Sequence, residues 1–246
     1  MLLSAPDMVV AALAVLVAAA ARRLTGFGFA LLGAPLLSFV LSPQQLVIVI
    51  LLLQVALGVP AVIEFRSRID WSVLGQLALG GVVTAPLGAW LLTRTDPDVV
   101  LFVLGLVVIA AAGVLGFAPG VLKFQPSRPA NVACGMVAGA LSSSVGMPGP
   151  PVAIYFLGQS ELNAATRRAM LIITFSVLAC VSLAVALPKG QVSGDLFWLS
   201  ALLLAPTLLG GQLGEQLHKR LNVQLGQRIA LALVILSGLV CLLRAF

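Results

Sequence analysis

Two stretches of this 246-residue chain combine residue types that hold an anion without needing a charged side chain. The first reads Thr25-Gly26-Phe27-Gly28-Phe29-Ala30-Leu31-Leu32-Gly33-Ala34-Pro35, and the second Leu141-Ser142-Ser143-Ser144-Val145-Gly146-Met147-Pro148-Gly149-Pro150-Pro151. Glycine and proline interrupt helix in both. A helix restarting after such a break aims its N-terminal amides and positive dipole end into the gap, and glycine lets an anion approach the backbone closely. Ser142, Ser143 and Ser144 add hydroxyl donors. The expected substrate-binding residues are therefore Gly26, Phe27, Gly28, Gly33 and Pro35 in the first stretch. In the second they are Ser142, Ser143, Ser144, Gly146, Pro148, Gly149 and Pro151. Such a pair of sites favours a small oxyanion with no fixed Arg or Lys at its centre. Taken singly, each of these residues serves equally well for close helix packing or a kink. Gln54, Thr84, Thr174 and Thr207 fall inside apolar runs as candidate pore-lining groups, though helix-to-helix hydrogen bonds account for each as well.

The medium in which these stretches work follows from composition. Hydrophobic residues make up 61% and charged residues 9%, against roughly 45–50% and about 25% in a soluble domain. Mean hydropathy is +1.15 over the chain, so the membrane is its solvent. Lys and Arg total 14 against 8 Asp and Glu, a net charge of +6. The basic residues sit between apolar runs, where they report orientation rather than nucleic-acid binding. Asp7, Glu64, Asp70, Asp96, Asp98, Glu161, Asp195 and Glu215 all fall near segment ends, which disfavours a cation transporter or a proton relay. Cys134, Cys180 and Cys241 are isolated in apolar stretches, and the single histidine, His218, precedes Lys219 and Arg220 at a segment end. No HExxH, GxSxG or paired-acid motif occurs, so neither an enzyme, a metal nor a cofactor is expected. Nothing basic precedes the first apolar run, which is expected to stay as a membrane segment rather than act as a leader.

Charge-free intervals measure the segments that must position the two stretches, since a spanning helix takes about 20 apolar residues. Val9 to Ala21 holds one short segment, Leu24 to Ile63 two, and Trp71 to Thr93 and Val99 to Leu122 one each. Pro129 to Ser160 then holds two short ones, followed by Ala169 to Pro188, Leu196 to Gly214 and Ile229 to Leu243, ten in all. Gly146 to Gly158 would cover less than about 20 Å as helix, short of the bilayer. Turn chemistry marks the breaks at Ser42-Pro43, Arg94-Thr95-Asp96-Pro97, Ala118-Pro119-Gly120 and Pro188-Lys189-Gly190. Trp71 and Trp198 open their segments as interfacial aromatics do. With the N-terminus outside, eleven of the 14 cations, Arg22 and Arg23 among them, lie in cytoplasmic loops, so both termini are expected outside the cytoplasm.

A shift of 116 residues lays Gly33 on Gly149 and Pro35 on Pro151, and a shift of 126 lays Gly88 on Gly214 and Arg94 on Arg220. The chain therefore reads as an all-α polytopic membrane protein of two repeats, 1–122 and 123–246, each of about five helical segments. Each repeat opens on a broken or re-entrant helix. An odd number of segments per repeat inverts the second copy, the architecture of many alternating-access transporters.

With these motifs in place, the chain resembles the sulfite exporter TauE/SafE family, also called the 4-toluene sulfonate uptake permease family. The likeness rests on the duplicated pattern, the TGFGFALLGAP and VGMPGPPVAIYFL stretches and the paired GxxLxxR endings. It implies a bacterial inner-membrane transporter of small sulfur-containing anions such as sulfite or organosulfonates, with the lipid bilayer as its surroundings. The first stretch carries Phe27 and Phe29 between its glycines, where many members are richer in glycine. A passive anion channel on the same scaffold, and a membrane-embedded enzyme or scaffold, are the competing expectations. Composition leaves the oligomeric state open, since surfaces that meet lipid and those that meet another subunit are alike apolar.

Overall fold

The computed structural model describes residues 3–25, 28–117, 125–159, 161–220 and 223–244. Among them run ten α-helices and no strand: α1 (Ala5–Thr25), α2 (Gly28–Leu37), α3 (Pro43–Phe65), α4 (Trp71–Arg94), α5 (Pro97–Phe117), α6 (Arg128–Val145), α7 (Gly149–Leu157), α8 (Ala164–Ala186), α9 (Gly194–Arg220) and α10 (Val223–Arg244). The chain is thus the all-α polytopic protein its sequence describes. Local chemistry explains the starts. Ser42 caps α3 in a capping box with Gln45, and Pro43 opens the helix where no N–H is needed. Asp70 caps α4 by accepting from the Ser72 and Val73 amides. Asn163 caps α8, its Oδ1 accepting from Thr166 N–H at 2.8 Å. Gly190 closes the turn after α8 at φ 66.

Among the described residues six helices, α1, α3, α4, α5, α8 and α9, are long and apolar enough to cross a membrane. With 10 and 9 residues, α2 and α7 extend only about 15 and 13 Å, half of a hydrocarbon core of about 30 Å. The structure folds each short helix back on the long one before it, α2 on α1 and α7 on α6.

Four long pairings hold these hairpins: α4 along α6, α1 along α9, α3 against α8 and α5 against α10. Lipid supplies no hydrophobic drive between helices, so close backbone approach through small residues does the work. A Cβ on Gly135 of α6 would lie 2.1 Å from the Leu77 carbonyl oxygen of α4, and one on Gly210 of α9 would lie 2.2 Å from the Leu16 carbonyl oxygen of α1. The larger buried cluster joins α1, α2, the first half of α3, α5 and the adjoining ends of α8 and α9. A second joins the start of α4 to α6, α7 and the first half of α8. Trp71 and Trp198 are exposed, as residues facing lipid or its interface are.

The helix starts set a register that differs from the best residue matches. Gly28 and Gly149 open α2 and α7, and Pro43 and Ala164 open α3 and α8, both pairs 121 residues apart. Gly33, which matched Gly149 at a shift of 116, lies instead in the middle of α2. Glycine and leucine are so frequent in membrane helices that several offsets produce matches, whereas the five pairs of helix starts are 121 to 126 residues apart. The expected boundary between residues 122 and 123 lies outside the described residues.

Substituting Gly135→Leu should therefore lower the melting temperature in detergent by several degrees, since overpacking a tight contact costs about 1–3 kcal/mol. Gly75→Leu on the exposed side of α4, where a Cβ meets nothing within 4 Å, should leave it unchanged.

Candidate functional site

In the second stretch the break is shorter than the sequence suggests, because α6 runs through the serines to Val145. Gly146, Met147 and Pro148 alone separate it from α7. Gly146 sits at φ 72, the left-handed region that costs other residues about 1–2 kcal/mol. Its N–H donates to Ser142 O at 3.0 Å, and Met147 N–H donates to Leu141 O at 3.2 Å. These bonds close the end of α6. Pro148 takes the N-cap position of α7 with no side-chain cap, and Gly149 is its first residue. Pro150 and Pro151 lack N–H groups, so Gly149 and Val152 supply the first-turn donors of α7.

The serines are engaged elsewhere. Ser143 Oγ donates to Ser182 Oγ at 2.9 Å, Ser182 Oγ lies 2.8 Å from Ser142 Oγ, and Ser144 Oγ donates to Ala140 O at 2.8 Å. Ser142 and Ser143 are buried, and their hydroxyls tie α6 to α8 rather than line a cavity. A hydroxyl inside an unbroken helix finds a neighbouring carbonyl or hydroxyl first.

In the first stretch Gly26 and Phe27 lie outside the described residues. Gly28 opens α2, while Gly33 and Pro35 are interior to it. Gly33 permits close packing, since a Cβ there would lie 2.9 Å from Ile50 Cδ1. Pro35 does not end the helix, and Ser38 Oγ donates to the Pro35 carbonyl at 2.7 Å.

What brings the two stretches together is α3. Gln54 Nε2 donates to the Gly146 carbonyl at 3.1 Å, satisfying a group that the break exposes. The Gln54 carbonyl in turn accepts from Ser176 Oγ of α8 at 3.0 Å. Helices α3 and α8 approach so closely here that a Cβ on Gly58 would overlap the Ser176 hydroxyl. Beside this junction is a cavity of about 10 Å³ lined by Arg22, Phe29, Ala30, Gln54, Gly149, Phe175 and Ser176. The first turn of α2 and the first residue of α7 thus face one space, with room for about one water. Its lining contains no acidic side chain.

Arg22 is the departure from expectation, for the sequence reading placed it in a loop and foresaw no cation at the site. Helix α1 extends to Thr25, which carries Arg22 into the cavity wall. Phe29, Ala30, Phe175 and Ser176 were also missed. The signal for Phe175 is the offset of 121 residues from Gln54, the same as between the starts of α3 and α8.

Of the remaining pore-lining candidates, Thr84 Oγ1 donates to Met136 O at 2.6 Å and joins α4 to α6. Thr174 is buried, and its hydroxyl has no partner among the described residues. Thr207 donates to Leu203 O at 2.6 Å and lines a larger cleft of about 330 Å³ between α1, α3, α8 and α9. Arg22, Arg23, Glu64, Arg168 and Gln212 line that cleft too.

Against known proteins, the sequence profile described as "Sulfite exporter TauE/SafE" matches residues 11–241. The chain is also similar to the "Probable inner membrane transporter protein TsaS" of Comamonas testosteroni, 29% identical over 181 residues, 72% of this chain and 74% of that one. No solved structure matches.

Replacing Gln54 with Leu removes the donor to the buried Gly146 carbonyl, and an unsatisfied buried group costs about 1–3 kcal/mol. Thermal melting of Gln54→Leu in detergent should fall accordingly.

Proposed function

The chain belongs to the sulfite exporter TauE/SafE family and is a membrane transporter rather than an enzyme, and from that premise we propose that it carries a small sulfur oxyanion, sulfite or an organosulfonate, by alternating access. The observation that carries this reading is the meeting of the α2 and α7 N-terminal turns with Gln54 around one cavity. Two helix starts and the Arg22 guanidinium place positive potential there, and no carboxylate opposes it. Gly149 lines the cavity, and a glycine lets an oxygen approach the backbone closely. Of the residues expected to bind substrate, Gly149 fits this role and Gln54 joins it, while Gly28 opens α2. Gly146, Pro148 and Pro151 shape the break, and Ser142, Ser143, Ser144, Gly33 and Pro35 hold the surrounding packing.

Alternation rests on the halves being inverted repeats. Renumbering α1–α5 as α6–α10 exchanges the α4–α6 pairing with the α9–α1 pairing, and returns the α3–α8 and α5–α10 pairings to themselves. That is the pattern a two-fold relation produces, with Gln54 and Phe175 as equivalent positions on the axis-crossing pair α3 and α8. The distribution of Arg and Lys supports both termini outside the cytoplasm of a bacterial inner membrane. A site for about one water is too small for sulfite, so loading requires the two hairpins to part.

Purified protein in liposomes loaded with unlabelled sulfite should take up ³⁵S-sulfite faster than empty liposomes do, and the rate should saturate. Flux that neither saturates nor responds to internal sulfite contradicts alternating access. No flux of any sulfur anion, alongside clear flux of an unrelated solute, contradicts the substrate class.

A further inference from the structure

The cleft of about 330 Å³ is lined by Arg22, Arg23 and Arg168 against one acid, Glu64. Arg23 is partly spoken for, its guanidinium 3.7 Å from Glu215 Oε2. Neither Arg22 nor Arg168 forms an ion pair or a hydrogen bond with a described residue. Both are only partly exposed, so they are held in the cleft walls rather than extended into open solvent. A cation at the end of a membrane helix commonly reaches for the lipid interface. Here two of them instead face a shared hollow that also presents Thr207 and Gln212.

The cleft lies toward one end of the four helices that line it. Toward the other end of the same four helices, Ala11, Ala14 and Val15 of α1, Val47 to Leu51 of α3, Ala179 and Leu183 of α8, and Leu199 and Leu203 of α9 are buried in one continuous cluster. The opening therefore lies where α1 finishes and α8 begins, the end that also carries Arg66, Arg68 and Arg167. Arg22 lines both this cleft and the small cavity at the α2 and α7 starts.

We propose that this cleft is an anion-binding antechamber, in which Arg168 and Arg22 collect the oxyanion and Arg22 passes it to the cavity beside Gln54 and Gly149. The assignment rests on the transport reading above and adds to it a second binding station, a direction of access and a conformational state, open toward the arginine-rich end. Arg22, Arg23 and Arg168 outnumber the two acids beside them, Glu64 and Glu215, so a net positive charge remains in the cleft walls to raise the local concentration of a small anion, and Arg offers two parallel N–H donors to an oxyanion. Arg22, shared by both spaces, removes the need for the anion to shed all its partners at once when it moves inward.

The test is ³⁵S-sulfite transport in liposomes with oriented protein, the arginine-rich face and the opposite face supplied with substrate in separate runs. Arg168→Gln should raise KM about tenfold for sulfite presented at the arginine-rich face, the loss of one charge-assisted contact. KM at the opposite face should stay within twofold. Arg22→Gln should raise KM at both faces, because Arg22 also lines the inner cavity, and Arg22→Lys should recover most of the loss. Arg23→Gln should change KM little, since Glu215 already engages that side chain. Melting temperature and gel-filtration profile, measured on each variant, verify that it is folded. If wild-type protein carries no sulfur anion, the transport reading itself falls. If wild type transports and KM of Arg168→Gln is unchanged, or rises equally at both faces, the antechamber alone is overturned. Unchanged KM in Arg22→Gln removes the handover.

Discussion

A backbone that stops being helical inside a membrane must have its amide and carbonyl groups answered by protein or trapped water, and this constraint organises the molecule. The three residues between α6 and α7 meet it in stages. Gly146 turns left-handed and returns its amide to α6, Met147 does the same, and Pro148 has no amide to satisfy. The Gly146 carbonyl goes to Gln54 across the interior. Gln54 thereby couples the break to α3, and Ser176 couples α3 to α8. A small polar junction of one amide and one hydroxyl anchors the point where the two short helices start, and the cavity beside it inherits their dipoles.

Around that junction close contact holds the helices, supplemented by hydrogen bonds such as Thr84 to the Met136 carbonyl and Ser143 to Ser182. Gly135 on α6 and Gly210 on α9 bring their backbones against α4 and α1 at distances no side chain would allow. Rigid pairs of this kind can move as units, because their internal contacts do not need to change when the pairs separate. The tight contact of Gly58 with Ser176 lies between the pairs, where a hinge or sliding surface would have to be. Under the alternating access proposed above, such pairs would part around the shared crossing of α3 and α8 to expose the site to each side in turn.

Much of this was legible in the residues. Apolar runs separated by charges and by Ser-Pro, Asp-Pro and Pro-Lys-Gly turns located the helices, and the caps Ser42, Asp70 and Asn163 formed as their types require. The short helices were visible because Gly and Pro cluster where hydrophobic length runs out. The details failed for physical reasons. Pro35 looked like a break, yet a proline late in a ten-residue helix only removes one bond, and Ser38 donates to the proline's own carbonyl. The three serines looked like ligands, yet once α6 extended past them the nearest acceptors belonged to α6 and α8. Arg22 looked like a loop charge because a charge-counting ruler ends every segment at its first cation. Helix α1 passes through that position, and only the packing of α1 on α2 and α9 reveals that the guanidinium turns inward.

The most direct measurement is where an anion sits. Selenite has the shape and charge of sulfite and scatters X-rays anomalously, so crystals grown with it report its position without modelling. The account predicts an anomalous peak beside the Gly149 amide and the Gln54 side chain, within about 4 Å of hydrogen-bonding donors, with the α2 start on its other side. A peak buried at another helix junction, with α2 and α7 closed against each other around nothing, would contradict it.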